Sequence, residues 1–169
     1  MPVRPIVLYP DPILRRACPE VSQFGPQLAG LVADLAETMY AAPGVGLAAP
    51  QIGVSARVAV VDVTPAAPGS RLHVLVNPRI VEREGLETDS EGCLSIPGLT
   101  EKVDRPLRVK VAAHDVEGRP FETVAEGFLA RAFCHEIDHL DGVLFIDRLT
   151  GVRKQLAARR LKKLPFLNP

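Results

Sequence analysis

Tryptophan is absent, and aromatic residues make up only 5% of the 169 positions. A core of stacked rings is excluded, so the interior must be built from Leu, Val, Ile and Ala. Cysteine is scarce: Cys18, Cys93 and Cys134 are an odd number at wide spacing. That excludes a disulfide scaffold and points to a reducing compartment. No apolar run approaches the roughly 20 residues that span a bilayer. The run at residues 5–9 is too short for a signal peptide and is bracketed by prolines. A soluble, cytoplasmic protein without membrane contact is expected. Acidic residues are missing from the C-terminal end. All 20 lie at or before Asp147, where 13 basic residues leave a net charge of −7, and the tail that follows carries +7. Such a tail meets a polyanion or packs on the acidic body.

What is present suits one globular domain over residues 1–169, with 148–169 as a basic C-terminal helix and tail. Hydrophobic residues make up 47% and charged residues 24%. A first helix is expected over 26–42, where Leu28, Leu31, Val32, Leu35 and Met39 recur at helical spacing. Short strands are expected at 57–63, 73–76 and 79–84, with a loop at 65–69 and a turn at Asn77-Pro78. Residues 108–114 alternate like a half-buried strand, Glu117-Gly118 reads as a hairpin turn, and 121–124 as the return. A helical turn is expected near 13–16. A last helix over 151–164 would turn Val152, Leu156 and Leu161 inward. Strand–helix–strand alternation is absent, so the expected class is α+β: short, mostly antiparallel strands around a central helix.

That central helix, 126–140, carries His135-Glu136-Ile137-Asp138-His139. In helical form His135 and His139 lie on one face, one turn apart, and can share a metal ion. Glu136 is placed to handle the proton of a water activated there. Phe128, Ala132, His135 and His139 continue one stripe, and Gly142 follows as a stop. The opposing reading is a core helix that happens to carry two of the chain's four histidines. A catalytic site needs a third protein ligand and an open position. No Glu or His follows His139, which counts against an ordinary zinc endopeptidase. An upstream cysteine is the alternative. Cys18 and Cys134 read as small buried hydrophobes, whereas Cys93 lies in the bend Ser90-Glu91-Gly92-Cys93-Leu94-Ser95. Upstream again, Pro43–Gly53 reads as a loop of small residues that lets a substrate backbone come close. It holds no Gly-Lys-Ser/Thr, so phosphate binding is a weak reading.

Three stretches together resemble one family. Gly44-Val45-Gly46-Leu47-Ala48-Ala49-Pro50-Gln51, Glu91-Gly92-Cys93-Leu94-Ser95 and His135-Glu136-Ile137-Asp138-His139 are similar, in order and spacing, to the motifs of peptide deformylases. The likeness covers nearly the whole chain. It implies a metal held by Cys93, His135 and His139, with Glu136 as general base. It implies that Gln51 and the Leu94 N–H bind the formyl oxygen, and that Gly46 contacts substrate. Val45, Phe128 and Ala132 are candidate walls of a methionine pocket. Glu91 paired with Arg105 would support the ligands. The implied reaction removes the formyl group from the starting methionine of new polypeptides and releases formate. The implied cofactor is one divalent ion per chain, ferrous iron first, with zinc, nickel or cobalt as alternatives.

Two positions depart from the family pattern. Cys134 stands where glutamine is frequent, and Arg131 where some members carry an apolar residue near the pocket. The absence of a leader is expected of a bacterial cytoplasmic enzyme. The rival readings are a zinc endopeptidase and a non-catalytic, metal-stabilised, ribosome-associated protein. A closed structural site would need a fourth ligand and leaves Glu136 and Gln51 unexplained. Specific DNA binding is not expected, while the basic tail is expected to bring the enzyme to the ribosome.

Overall fold

Val, Leu and Ala fill the main sheet, as a continuous buried run at 58–61 and at alternate positions over 108–114, and apolar residues at helical spacing build the two helices packed on it. A computed structural model of the chain describes residues 3–65 and 71–169. The element order is α1 (Pro26–Ala41), β1 (Gly46–Ala48), β2 (Val58–Val61), β3 (His73–Glu84), β4 (Glu87–Cys93), β5 (Ile96–Arg105), β6 (Arg108–His114), β7 (Pro120–Glu126), α2 (Gly127–Leu140) and α3 (Gly151–Lys162). Short 3₁₀ turns cover Pro12–Arg15, Ala49–Ile52, Phe145–Arg148 and Pro165–Leu167. Five strands form an antiparallel sheet in the order β1-β2-β3-β6-β7, and β4 and β5 form a separate antiparallel pair. The α+β class is as expected. Among the described residues, no helix is long and apolar enough to cross a membrane.

Helix α2 lies between the two sheets. Ala130, Phe133, Cys134 and Ile137 pack against Val61, Leu75, Val109 and Val111 of the large sheet. The side facing the β4–β5 hairpin carries Arg131, His135 and Asp138, each bonded to hairpin residues. Every residue from Ala130 to Leu140 is buried, so the polar side must be paired. Gly142 ends the helix with φ 75°. A Cβ there would lie 2.6 Å from the Arg15 carbonyl oxygen, so the stop requires glycine sterically as well as conformationally. Helix α1 begins with Pro26 at its first turn and buries Leu28, Val32, Leu35 and Met39 against β1 and β2. Its buried Asp34 and Thr38 are met by Arg4.

Four expectations are corrected. The strands expected at 73–76 and 79–84 are one strand, β3, with a bulge where a turn was expected at Asn77-Pro78. Asn77 takes φ 51° there, and its side chain both accepts from the Val21 N–H and donates to the Val21 carbonyl. The stretch expected as a bend around Cys93 is the β4–β5 hairpin. The loop around Gly46 contains β1, an edge strand. The inward side of α3 is Ala157 and Leu161, continued by Leu164, whereas Val152 is 69% and Leu156 40% exposed. Val152 and Leu156 lie on average about 140° round the helix from Ala157 and Leu161, which is enough to face solvent. The loop expected at 65–69 falls, from residue 66 on, outside the described residues. The basic tail does pack on the acidic body in part: Arg153 bonds Asp104 and Arg160 bonds the buried Glu101.

Phe133 is fully buried between α2 and the sheet, edge-on to His73 at 5.3 Å. Phe133→Ala is expected to cost about 3–5 kcal/mol in denaturant unfolding. A loss below about 1 kcal/mol would contradict this packing.

Candidate metal centre and active site

Two elements bring the donor atoms together. His135 and His139 come from successive turns of α2, and Cys93 from the end of β4. Cys93 Sγ lies 3.3 Å from His139 Nε2, which lies 3.2 Å from His135 Nε2. Among the described residues this is the one Cys/His/acid cluster able to hold a metal ion. Tetrahedral ligation with metal–nitrogen bonds near 2.0–2.1 Å and metal–sulfur near 2.3 Å sets such atoms roughly 3.3–3.6 Å apart. The observed spacings are close to that.

The hydrogen bonding also fits. His135 Nδ1 donates to Glu91 Oε2 at 2.6 Å, leaving its Nε2 with a lone pair. His139 Nδ1 is buried without a hydrogen-bond partner among the described residues. Burial, and then the neighbouring His135, holds the His139 imidazole well below its usual range, so it is neutral. Burial alone would lower the His135 pKa, but the neighbouring Glu136 and the contact with Cys93 outweigh it and hold that imidazole well above its usual range. The three clustered atoms thus draw a cation between them, a proton or a metal ion. Among the described residues the cluster has three protein donors, one short of a closed structural site.

Beside the donors opens a cavity of about 500 Å³. Its lining includes His135, Cys93, Glu136 and Gln51, together with Val45, Gly46 and Leu94. Phe128 and Ala132 of α2 complete the predicted set. All the site residues expected from the sequence are thus in one place; His139 joins through its contacts with Cys93 and His135 rather than as part of the wall. Glu136 is buried, and its Oε1 has no partner among the described residues. Burial pushes its carboxyl up to about 7, near the range useful for proton transfer at neutral pH. Gln51 is fixed at both ends: Oε1 accepts from the Ala48 N–H at 3.0 Å and Nε2 donates to Ser95 Oγ at 3.1 Å. Nε2 also reaches Cys93 Sγ at 3.7 Å.

The chain matches the polypeptide deformylase family over residues 3–155. A peptide deformylase of Acidobacterium capsulatum is 48% identical over 164 residues, covering 97% of this chain and 96% of that protein. The chain belongs to the polypeptide deformylase family. Crystal structures of peptide deformylases agree in fold. That from Legionella pneumophila superposes with a TM-score of 0.89 at 44% identity, covering 99% of this chain and 98% of that one. That from Thermus thermophilus gives 0.90 at 46%, covering 99% of each.

Within this family member the structure adds residues that the motifs did not single out. Ser95 is fully buried, holds Gln51, and donates its N–H to Cys93 Sγ at 3.4 Å. Its place in the second motif was the available signal. Arg131, read in the sequence only as a departure, is buried on the cavity wall. Its guanidinium donates to Glu91 Oε1 and to the carbonyls of Val103 and Glu87, pinning both hairpin strands to α2. The pairing of Glu91 with Arg105 is present, at 3.0 and 2.6 Å. Cys18 and Cys134 are buried free thiols.

Gly46 is required by space. A Cβ there would lie 2.5 Å from Glu136 Oε2. In a crystal structure of Gly46→Ala the Glu136 carboxylate is expected to be displaced with the fold intact. An unmoved carboxylate would show that β1 yields instead.

Proposed function

We propose that this protein is a metal-dependent hydrolase that removes the N-formyl group from the terminal formylmethionine of newly made polypeptides. One observation carries the reading: Glu136, a buried carboxylate with an unpartnered oxygen, lines the same cavity as the donors Cys93 and His135. In this reading Cys93, His135 and His139 hold one divalent ion. Two imidazoles and a thiolate suit ferrous iron, which we take as resident, and equally zinc, nickel or cobalt. When bound, the ion supplies a Lewis acid that polarises a carbonyl and lets a water lose its proton near neutral pH.

The chain's own groups do the rest. Glu136 accepts the proton of the attacking water as its oxygen bonds to the formyl carbon. It then delivers that proton to the departing amine nitrogen as the C–N bond breaks, giving formate and a free N-terminus. Gln51 Nε2, held by Ser95, and the Leu94 N–H steady the negative oxygen. Losing one such donor typically costs about 100- to 1000-fold in rate. The peptide lies as an added strand along the β1 edge at Gly46, through main-chain bonds that do not depend on its sequence. Its methionine side chain enters between Val45, Phe128 and Ala132.

We take the enzyme to act in the cytoplasm, at the ribosome, where such substrates emerge. Support comes from charge: Lys154, Arg159, Lys162 and Lys163 are exposed on or just past α3, and phosphate-rich surfaces attract such clusters. Changing these four to Glu is expected to remove low-salt co-sedimentation with ribosomes and leave turnover of a formyl-Met tripeptide unchanged. Unaltered co-sedimentation would contradict the docking.

The activity itself is tested by formate release from a formyl-Met tripeptide with nickel-loaded protein. Glu136→Gln is expected to retain the metal and lose at least about 100-fold in rate, the lower range for a general base. Absence of release from metal-loaded wild-type protein would overturn the assignment.

A further inference from the structure

The donor set is held by a closed ring of side chains that extends past Glu91. His135 Nδ1 donates to Glu91 Oε2 at 2.6 Å. Arg105 grips both Glu91 oxygens, Nε to Oε1 at 3.0 Å and Nη2 to Oε2 at 2.6 Å. Its remaining nitrogen, Nη1, donates to Asp138 Oδ2 at 2.7 Å. Asp138 lies three residues after His135 on the same face of α2, which closes the ring through helix, β4 and β5. The side chains of Glu91, Arg105 and Asp138 are each exposed by a tenth or less. From outside, half-exposed Arg148 fixes the plane of the Asp138 carboxylate, Nε to Oδ2 at 3.0 Å and Nη2 to Oδ1 at 2.7 Å.

We propose that Asp138 is a positioning residue for the metal centre. Acting through Arg105 and Glu91, it fixes which nitrogen of His135 faces the donor cluster and how far the cysteine hairpin stands from the histidine helix. Asp138 is not itself one of the clustered donors. Its effect is geometric. Glu91 stands two residues before Cys93 on β4, so a guanidinium locked between Glu91 and Asp138 sets the separation of the thiolate from both imidazoles. Without the Asp138 charge, one neutral amide oxygen is left for both Arg105 and Arg148, and the NH2 group faces a guanidinium. Arg105 loses its charged acceptor, the guanidinium turns, and Glu91 is released from its two-point grip. Outer partners of this kind typically contribute about 10- to 100-fold to metal affinity.

The inference rests on the metal-centre reading, and Co(II) binding tests it without using activity as the readout. Asp138→Asn keeps volume and removes charge. It is expected to lower Co(II) affinity roughly 10- to 100-fold in chelator competition and to shift the visible bands of the Co(II) protein. In turnover, kcat is expected to fall while KM for a formyl-Met tripeptide holds. Wild-type affinity and spectrum in the variant would overturn the proposal, even if the variant is less stable. If Asp138→Asn does not fold, Arg105→Lys carries the same test, because lysine keeps the buried charge and cannot grip two carboxylates at once. An unchanged spectrum there also overturns the proposal. Failure of the wild-type protein to bind Co(II) would instead refute the metal-centre reading beneath it.

Discussion

The carboxylate of Glu91 is the interaction on which the rest depends. It is buried, so its charge is costly unless paired. Arg105 and Arg131 reach it from β5 and α2, and His135 donates to it. Burial alone would raise its pKa, but the bonds from His135 and Arg105 outweigh that and hold it at about 2. A carboxylate that stays ionised keeps the proton of His135 on Nδ1, so Nε2 is free to act as a donor. The same contacts bind the hairpin to the helix. Remove Glu91 and two guanidiniums are left buried without their shared acceptor, a loss larger than that of any one hydrogen bond.

Glu136, on the same turn of α2 as His135, is under the opposite regime. It has no such clamp, and desolvation leaves its carboxyl near 7. Two carboxylates in one buried cluster are thus separated by their partners into a fixed anion and a group able to exchange protons. That division of labour, set by hydrogen bonding and not by residue type, is what a general base beside a metal centre requires. Packing enforces it: Gly46 leaves no room for a side chain against Glu136, while Ser95 and Ala48 hold Gln51 at both ends.

Much of this was legible in the sequence where local chemistry and periodicity agree. Helix α2 could be read from its apolar stripe, and β6 and β7 from alternation. The histidine pair followed from helical spacing. The hairpin of β4 and β5 could not be read this way, because Glu87-Thr88-Asp89-Ser90-Glu91-Gly92 is polar and has low strand propensity. It is a strand because the buried guanidiniums of Arg105 and Arg131 pair with it, and that information is non-local. Cys93 therefore entered through family resemblance, not through geometry. On α3, Val152 and Leu156 suggested the inward side by hydrophobicity alone. The smaller Ala157 faces inward, in one buried cluster with Ile96, Leu99 and Val103 of β5. Arg131 reads as a pocket residue by position, yet its charge is spent on the hairpin.

One sulfur and two nitrogens converging on one ion are what the proposed chemistry requires. X-ray absorption at the metal edge of nickel- or iron-loaded protein measures this directly. The prediction is one sulfur scatterer at roughly 2.3 Å with imidazole nitrogens at roughly 2.0–2.1 Å, the distances usual for such ligands, and loss of the sulfur shell in Cys93→Ala. A shell of nitrogen and oxygen without sulfur, or a sulfur shell that persists in Cys93→Ala, would contradict it.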